Sequence, residues 1–372
     1  MIKFESLSQI NRIIEQDKIS STYKFALLKN TIDVCQRYDH LIQTKDELSY
    51  LPLGLIIEGW IFDYLPFVFK SIRQQNSGRV LNKQIESIYT ELFTYMKLDP
   101  EKTSWQDAYA KIYMQYLTMN LDPIQSSLLV KLSKEIAKTI TQMPMKHSGE
   151  GDYEIYLPER TTFGWVPNTE KFNREFLIES FGTFSIKKDH YSIFRYMGQS
   201  LYGNSTISRR WKETTYKLNH SDFATDKIDA MIYKTIFSDR NTTIGRKYLP
   251  DECHCVWSGK KLHRGKYDID HVLPYSIWFN NDLWNLLPCD PKTNGKKSDK
   301  IPSPELILKQ SDLIISYWNI YEEKAKELFE NQIKTSLVSK GYKDTNKMKL
   351  IDALCEKSNY LISKRGYSSF SL

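Results

Sequence analysis

The sequence lacks the features that mark secreted and low-complexity proteins. Its amino terminus shows no positively charged stretch followed by an apolar one, so we expect no signal peptide. We find neither an internal repeat nor a low-complexity tail. The few cysteines are scattered and form no disulfide framework, which favours a reducing, cytoplasmic location. They stand at Cys35, Cys253, Cys255, Cys289 and Cys355.

A long uninterrupted apolar run is also missing. The most apolar stretch, residues 51–69, contains Glu58 and Asp63 together with two prolines and two glycines. A membrane-spanning helix needs about 20 largely uninterrupted apolar residues. The sequence therefore predicts a buried core helix in this stretch and no membrane partner.

The charge is not strongly one-sided. Lysine and arginine number 52 against 45 aspartates and glutamates, which gives a net charge of +7. This excess permits a polyanionic partner without establishing one. Hydrophobic residues make up 41% of the chain, so material for cores is ample, and 372 residues predict two or three domains.

The sequence pattern predicts an α+β fold that is mostly α. We divide the chain into a helical amino-terminal domain (1–145), a mixed α/β middle region for nucleic-acid binding or regulation (146–245), a small module (246–304) and carboxyl-terminal helices packing on the core (305–372). Alternating apolar residues predict strands within 153–157, 181–186 and part of 192–196. Helical spacing predicts helices over 222–237, 305–310, 312–337 and 346–364.

The middle region holds a candidate phosphate-binding segment. Residues 205–212 read Ser-Thr-Ile-Ser-Arg-Arg-Trp-Lys, which brings together Arg209, Arg210 and Lys212 beside hydroxyls and an indole. Cations neutralise phosphates, and aromatic rings stack on bases. The alternative is that these cations form an ordinary solvated face.

The densest set of chemically active side chains lies in residues 267–302. A carboxylate precedes a histidine directly, and an asparagine and two lysines follow. Carboxylate and amide oxygens suit magnesium or manganese, a neutral imidazole accepts a proton near neutral pH, and ammonium groups favour phosphate. The residues are Asp270, His271, Asn294, Lys296 and Lys297.

Three separated segments of this region resemble the HNH endonucleases, also called His-Me finger or ββα-metal nucleases. They read Asp270-His271-Val272-Leu273-Pro274, Asn285-Leu286-Leu287-Pro288 and Asn294-Gly295-Lys296-Lys297. The spacing from Asn294 through Lys-Ser-Asp to Pro302 is similar to the HNH domain of RNA-guided CRISPR effectors. The resemblance covers about residues 253–302; the first helices are only weakly similar to helical domains of bacterial HNH proteins.

The resemblance implies a role for each matching residue. His271 would be the general base, and Asp270 and Asn294 would hold one Mg²⁺ or Mn²⁺ per active site. Asn285 would brace a loop, and Lys297 would contact the substrate phosphate.

Two further residues complete the predicted site. Asp268 lies two residues before Asp270 in a predicted strand, so both side chains face the same side; it would be an accessory acid. Lys296 would contact nucleic acid. The local pattern predicts strands at 266–269 and 283–287, a structured loop between them, and a helix that starts at Pro291.

The sequence departs from the zinc-binding members of the family. Cys255 fits the first ligand position, but Ser258 stands at the second, and the last two positions fall on Asp290 and Thr293. This spacing argues against a structural zinc and favours packing around Trp257. A site that uses the neighbouring Cys253 and Cys289, with His254 or His263, stays open because these residue types do bind zinc.

The sequence thus predicts a metal-dependent DNA endonuclease, with a role in bacterial antiviral defence as a restriction-type or effector nuclease. One alternative is an RNase or a structure-specific nuclease of the same fold. The other is a non-cutting nucleic-acid-binding protein with an inert HNH domain. Because each chain carries one active site, double-strand cleavage would favour a homodimer or partner subunits of a defence complex.

Overall fold

The chain divides into two compact units in the computed structural model, Met1–Phe237 and Ser238–Leu372. The residues that the structure describes are 4–17, 19–149, 154–157, 164–202, 206–219, 225–236, 240–263, 265–338 and 346–372. The middle region (146–245) contributes its described strands to a sheet with the amino-terminal region, inside the first unit.

The first unit is mainly helical, as the sequence predicts. Its described helices are α1 (Phe4–Glu15), α2 (Tyr23–Arg37), α3 (Leu53–Phe69), α4 (Lys83–Tyr95), α5 (Trp105–Leu117), α6 (Pro123–Gln142), α7 (Pro144–His147), α8 (Arg174–Ser180), α9 (Lys188–Tyr202), α10 (Ile207–Asn219) and α11 (Thr225–Ile236). Helix α3 is buried along nearly its whole length, which confirms the predicted core helix. It packs against α2, α4, α5, α6, α8 and α11.

Two glycines allow the neighbours of α3 to approach closely. A Cβ added at Gly54 would lie 2.0 Å from the carbonyl oxygen of Leu177 on α8. A Cβ added at Gly59 would lie 1.9 Å from Oδ1 of Asn30 on α2. Any larger side chain at either position would therefore force the helices apart. None of the described helices combines the length and apolar character that a membrane span requires.

A small antiparallel sheet completes the first unit. Its strands are β1 (Gln43–Lys45), β2 (Leu48–Pro52), β3 (Tyr156–Leu157) and β4 (Thr183–Lys187). Their order is β1-β2-β4-β3. The hairpin of β1 and β2 corrects the wholly helical expectation for residues 1–145: β2 pairs with β4, whose residues are remote in sequence. β3 and β4 confirm the predicted strands, although Tyr153 lies outside the described residues.

The strand predicted within 192–196 is wrong, because these residues belong to α9. The buried residues of α9 include His190, Ile193, Phe194 and Leu201. These positions follow the i, i+3, i+4 spacing of a helix face and do not alternate as in a strand. The alternation of apolar residues suggested a strand, but burial follows the helical period.

The second unit combines short strands with helices. Its described helices are α12 (Thr243–Tyr248), α13 (Tyr275–Trp278), α14 (Pro291–Lys297), α15 (Pro304–Lys309), α16 (Ser311–Lys324), α17 (Lys326–Ser336) and α18 (Lys347–Asn359), which continues as a π-helical turn (Tyr360–Lys364). Its described strands are β5 (Glu252–His254), β6 (Lys261–His263), β7 (Asp268–His271), β8 (Leu286–Cys289), β9 (Ile301–Pro302) and β10 (Ser369–Phe370). β5 pairs with β6 and β7 with β8, both antiparallel, and β9 pairs with β10 in parallel.

The carboxyl-terminal helices pack on the strands of the second unit. The helix predicted over 312–337 is two helices, α16 and α17, because the backbone breaks at Ala325 (φ −148°, ψ 47°). Trp318 on α16 donates its indole N–H to the carbonyl of Trp284 at 3.0 Å, and Trp284 donates to Ser336 on α17 at 2.8 Å. These bonds anchor both helices to the residues that lead into β8. The α+β, mostly α fold class is confirmed.

Candidate active site

The predicted site residues lie on a ββα arrangement of β7, β8 and α14. In the antiparallel pair, Asp270 stands opposite Leu287 and His271 opposite Leu286. The helix follows directly: Asp290 caps it by accepting a hydrogen bond from the backbone N–H of Thr293. A proline occupies the first turn, as predicted. The strand expected at 283–287 starts later, since residues 283–285 form a 3₁₀ turn before β8.

Asp270 is almost completely buried, and both of its carboxylate oxygens accept hydrogen bonds. Trp257 donates its indole N–H to Oδ2 at 2.7 Å, and Lys297 donates its ammonium group to Oδ1 at 3.0 Å. Burial raises the pKa of Asp270, whereas Lys297 and Trp257 act in the opposite direction. The carboxylate is therefore held in one orientation from both sides.

Lys297 is the buried partner of this ion pair. Its residue exposure is 0%, and its ammonium group also donates to the carbonyl oxygen of His271 at 2.7 Å. Lys296, one residue earlier on α14, is exposed. Consecutive residues of a helix point in directions about 100° apart, which separates the two lysines into an interior cation and a solvated one.

Asp268 and Asn294 form a second polar pair that is more open. Asn294 donates its amide N–H to Oδ2 of Asp268 at 2.9 Å, and both side chains are half-buried. Among the described residues, none donates to Oδ1 of Asp268 or to Oδ1 of Asn294. These two oxygens are consequently the oxygen atoms of the site that are open to coordinate a metal ion.

The orientation of His271 is fixed by Asn281. Nε2 of His271 lies 3.0 Å from Oδ1 of Asn281, and the backbone N–H of Asn241 donates to the same oxygen at 2.9 Å. A backbone N–H can only donate, so the asparagine atom facing it is the oxygen. An oxygen acceptor requires that Nε2 of His271 carry the hydrogen. Nδ1 then holds the lone pair, and it is buried without a hydrogen-bond partner among the described residues.

Burial favours the neutral form of His271. Burial of the ring lowers its pKa to about 3. The hydrogen bond to Asn281 acts in the opposite direction, and the charges of Arg240 and Lys297 add to the lowering. The neutral imidazole is the form that can accept a proton.

Asn285 occupies the bracing position that the family resemblance implies. Its Oδ1 accepts the backbone N–H of Leu273 at 2.8 Å, and its Nδ2 donates to the carbonyls of Leu273 and Asn280 at 3.1 Å. The side chain is fully buried and contacts backbone groups of the loop between β7 and β8. It fixes that loop and thereby the end of the strand that carries His271.

The donor set fits a hard divalent cation. Within the described ranges, no three His, Cys, Asp or Glu side chains come together as a metal site. Oxygen donors are nevertheless concentrated at one place, because Asp268, Asp270 and Asn294 all reach the same interface of β7 and α14. Magnesium and manganese prefer carboxylate and amide oxygens and complete their shells with water or substrate oxygens.

The cysteines near the site are arranged as a pair. Sγ of Cys255 lies 3.7 Å from Sγ of Cys289, and the backbone N–H of Ser258 points to Sγ of Cys255 at 3.5 Å. The hydrogen bond with Cys289 lowers the pKa of Cys255. Lys260 and Asp290 form an ion pair of 3.0 Å. These contacts join the β5–β6 hairpin to the end of β8 and the start of α14.

The predicted phosphate-binding cations of the first unit lie on α10 and are paired with carboxylates. Arg209 and Arg210 face the same two glutamates, one on α1 and one on α10. Lys212 pairs with an aspartate on α11. The partners are Glu15, Glu213 and Asp229. Binding of a phosphate by these cations would require exchange of the ion pairs.

Sequence reasoning missed three residues of the site. Trp257 appeared as packing, yet its N–H holds Asp270. Asn281 lies in the predicted loop between the two strands, yet it orients His271. Arg240 precedes the motif by 30 residues, yet its charge reaches both Asp270 and His271. The polar residues next to Asn281 in the sequence were the only sign of its role. No local feature of the sequence indicated the roles of Trp257 and Arg240.

Comparisons with known proteins agree with the sequence resemblance. The HNH endonuclease family matches residues 255–303, a range that contains β7, β8 and α14. The family described as Domain of unknown function (DUF8808) matches residues 3–232. No curated protein and no solved structure matches the chain. Because the longer match spans more than half of the sequence, the chain belongs to the DUF8808 family, and it carries an HNH endonuclease domain at residues 255–303.

Proposed function

We propose that the protein is a metal-dependent endonuclease that hydrolyses phosphodiester bonds in DNA. The observation that carries this proposal is the buried His271, which directly follows the fixed carboxylate of Asp270 in β7. Its Nε2 binds Asn281, and its Nδ1 has no hydrogen-bond partner among the described residues. A histidine in this state can take a proton from water, which is the step that makes water an effective nucleophile toward phosphorus.

The residues around His271 prepare it for that step. The N–H of Nε2 is bound to Asn281, so the incoming proton goes to Nδ1. Asn285 holds the backbone of the loop that follows His271. Lys297 binds the carbonyl of His271 and the carboxylate of Asp270, and it thereby fixes two consecutive residues of β7 at once. We assign Lys297 a positioning role because its ammonium group is fully buried.

The cation would be held by Asn294 together with the two acids of β7. Asp268 and Asn294 have open oxygens. An ionised carboxylate has about four lone-pair positions, so Asp270 can still bind a cation while it accepts its two hydrogen bonds. Bound Mg²⁺ or Mn²⁺ would supply Lewis-acid stabilisation of the charge that develops on the phosphate and the leaving oxygen.

The charge distribution supports a polyanionic substrate. The second unit has 22 lysines and arginines against 17 aspartates and glutamates, so it carries +5 of the total charge of +7. Lys296 is exposed on α14, next to the residues of the site. Clustered cations attract the phosphate backbone independently of sequence. DNA is the polyanion that the similarity to CRISPR-effector HNH domains favours.

The role in defence rests on analogy with restriction-type and effector nucleases. An intracellular DNA endonuclease with a single active site per chain cuts both strands when two chains act together. We therefore infer a cytoplasmic homodimer, or a complex with partner subunits, as the cutting species. Light scattering of the purified protein with and without DNA measures this directly.

Incubation with plasmid DNA, single-stranded DNA and RNA, each with magnesium or with EDTA, tests the proposal. The proposal predicts magnesium-dependent cleavage of DNA, and mapping of the product ends then gives the cleavage site. Cleavage of RNA alone would favour the RNase alternative. Binding of any of the three without cleavage would identify a non-cutting protein and refute the endonuclease proposal.

A further inference from the structure

Arg240 precedes Asn241, whose backbone is hydrogen-bonded to the site through Asn281. The backbone N–H of Asn241 donates to Oδ1 of Asn281 at 2.9 Å, and that oxygen also accepts from Nε2 of His271 at 3.0 Å. The side chain of Asn241 accepts from the backbone N–H of Thr243 at 2.9 Å, at the start of α12. The backbone next to Arg240 is therefore tied to His271 through Asn281, and a local hydrogen bond holds it at the start of α12.

The side chain of Arg240 differs from those of the other arginines in the described part of the second unit. Arg246 donates to the carbonyl of Tyr267 at 3.0 Å, and Arg365 donates to the hydroxyl of Tyr367 at 3.2 Å. Arg240 is exposed, and its guanidinium forms no hydrogen bond or ion pair with any described residue. Its donors are thus available to a ligand.

The charge of Arg240 acts on two predicted site residues of β7, Asp270 and His271. Lys297 is the other cation that acts on both residues, but it is buried and bound to Asp270. Among the described cations that act on both groups, Arg240 alone is exposed to an incoming substrate.

We propose that Arg240 is a further catalytic residue, which binds the scissile phosphate of the DNA and stabilises the negative charge that forms during hydrolysis. This inference rests on the proposed endonuclease function. The planar guanidinium matches two phosphate oxygens at once, which a lysine ammonium group does not. Asn281 binds both Nε2 of His271 and the backbone N–H of Asn241, so the residue next to this cation is anchored at the general base.

The first test compares single-turnover cleavage of a DNA with a mapped cleavage site. The variants are Arg240→Ala, Arg240→Lys, His271→Ala and, as a matched control, Lys309→Ala, which removes one exposed cation on α15. Loss of a charge-stabilising donor lowers the chemical step by about 10²–10³-fold, and we expect this for Arg240→Ala with unchanged thermal unfolding. Arg240→Lys should recover part of the rate, and Lys309→Ala should cleave like the wild type.

The second test asks whether Arg240 contacts the scissile phosphate itself. Binding is measured with His271→Ala and with the double variant His271→Ala/Arg240→Ala, on DNA with either a normal phosphate or a neutral methylphosphonate at the mapped position. We expect His271→Ala to bind the methylphosphonate DNA more weakly than the normal DNA. The double variant, which already lacks Arg240, should bind the two DNAs with nearly equal affinity.

The outcomes separate the two proposals. If the wild type cleaves, His271→Ala does not, and Arg240→Ala retains the full rate, the endonuclease function stands and the role of Arg240 is overturned. An equal effect of the methylphosphonate on both proteins would also overturn the phosphate contact. If the wild type does not cleave DNA, both proposals fail.

Discussion

The buried ion pair between Lys297 and Asp270 gives the most quantitative prediction, because a matched control lies one residue away. Lys297→Met removes a cation with 0% exposure and leaves the Asp270 carboxylate buried opposite an apolar chain. Lys296→Met removes an exposed cation from the same helix. The two substitutions are identical in chemistry and differ in environment.

The structure sets the size of the two effects. Removal of one partner of a buried ion pair costs about 3–5 kcal/mol, because the remaining charge is desolvated without compensation. The unfolding entropy of a domain of about 135 residues is roughly 0.28 kcal/mol/K. Lys297→Met should therefore lower the Tm of the second unit by about 10–18 °C. An exposed substitution changes the free energy of unfolding by less than about 0.5 kcal/mol, so Lys296→Met should shift Tm by less than about 2 °C.

Differential scanning calorimetry of the full chain measures both shifts, and hydrogen–deuterium exchange of peptides from β7 and α14 assigns the transition to the second unit. The double variant Asp270→Asn/Lys297→Met removes both charges and should recover most of the lost stability, since an uncharged pair of similar size carries no desolvation penalty. Equal shifts for Lys297→Met and Lys296→Met would refute the assignment of Lys297 to the interior.

Two other predictions concern metal binding and acid stability. Asp268→Asn and Asp270→Asn should each raise the magnesium concentration needed for half-maximal cleavage; an unchanged titration for either would remove that acid from the cation site. Burial lowers the pKa of His190 in the folded protein to about 4. Above pH 6.5 the imidazole is therefore neutral in the folded and in the unfolded chain. As pH falls from 6.5 toward 4, the unfolded chain binds the proton first, and stability falls by up to about 3 kcal/mol. Urea unfolding of His190→Gln should show a shallower acid-side loss; identical pH profiles would contradict this.

The sequence predicted the types and the order of the elements that form the site. The Asp-His, Asn-Leu and Asn-Gly-Lys segments indicated two short strands and a helix beginning at Pro291. The helix α14 is confirmed, and both strands exist, but β7 and β8 each lie two to three residues later than the predicted 266–269 and 283–287. Turn residues, a proline at the first helical position and the motif spacing are short-range signals. They determine local structure without information about distant partners.

Contacts between segments distant in sequence were beyond sequence reasoning. Lys296 and Lys297 are chemically equal in the sequence, and only the packing of α14 on β7 makes one of them an internal counter-ion. Trp257 and Arg240 approach the site because the β5–β6 hairpin and the residues before α12 pack against it. The hairpin of β1 and β2 was missed for the same reason, since its outer partner β4 is far along the chain.

The most direct test of the account is the single-turnover cleavage rate of His271→Ala beside that of the wild type, at equal magnesium and saturating DNA. The account predicts a rate lower by about 10²–10⁴-fold, the usual contribution of a positioned general base, with the same affinity for DNA. Cleavage by His271→Ala at the wild-type rate would contradict the assignment of this imidazole as the base, and with it the proposed active site.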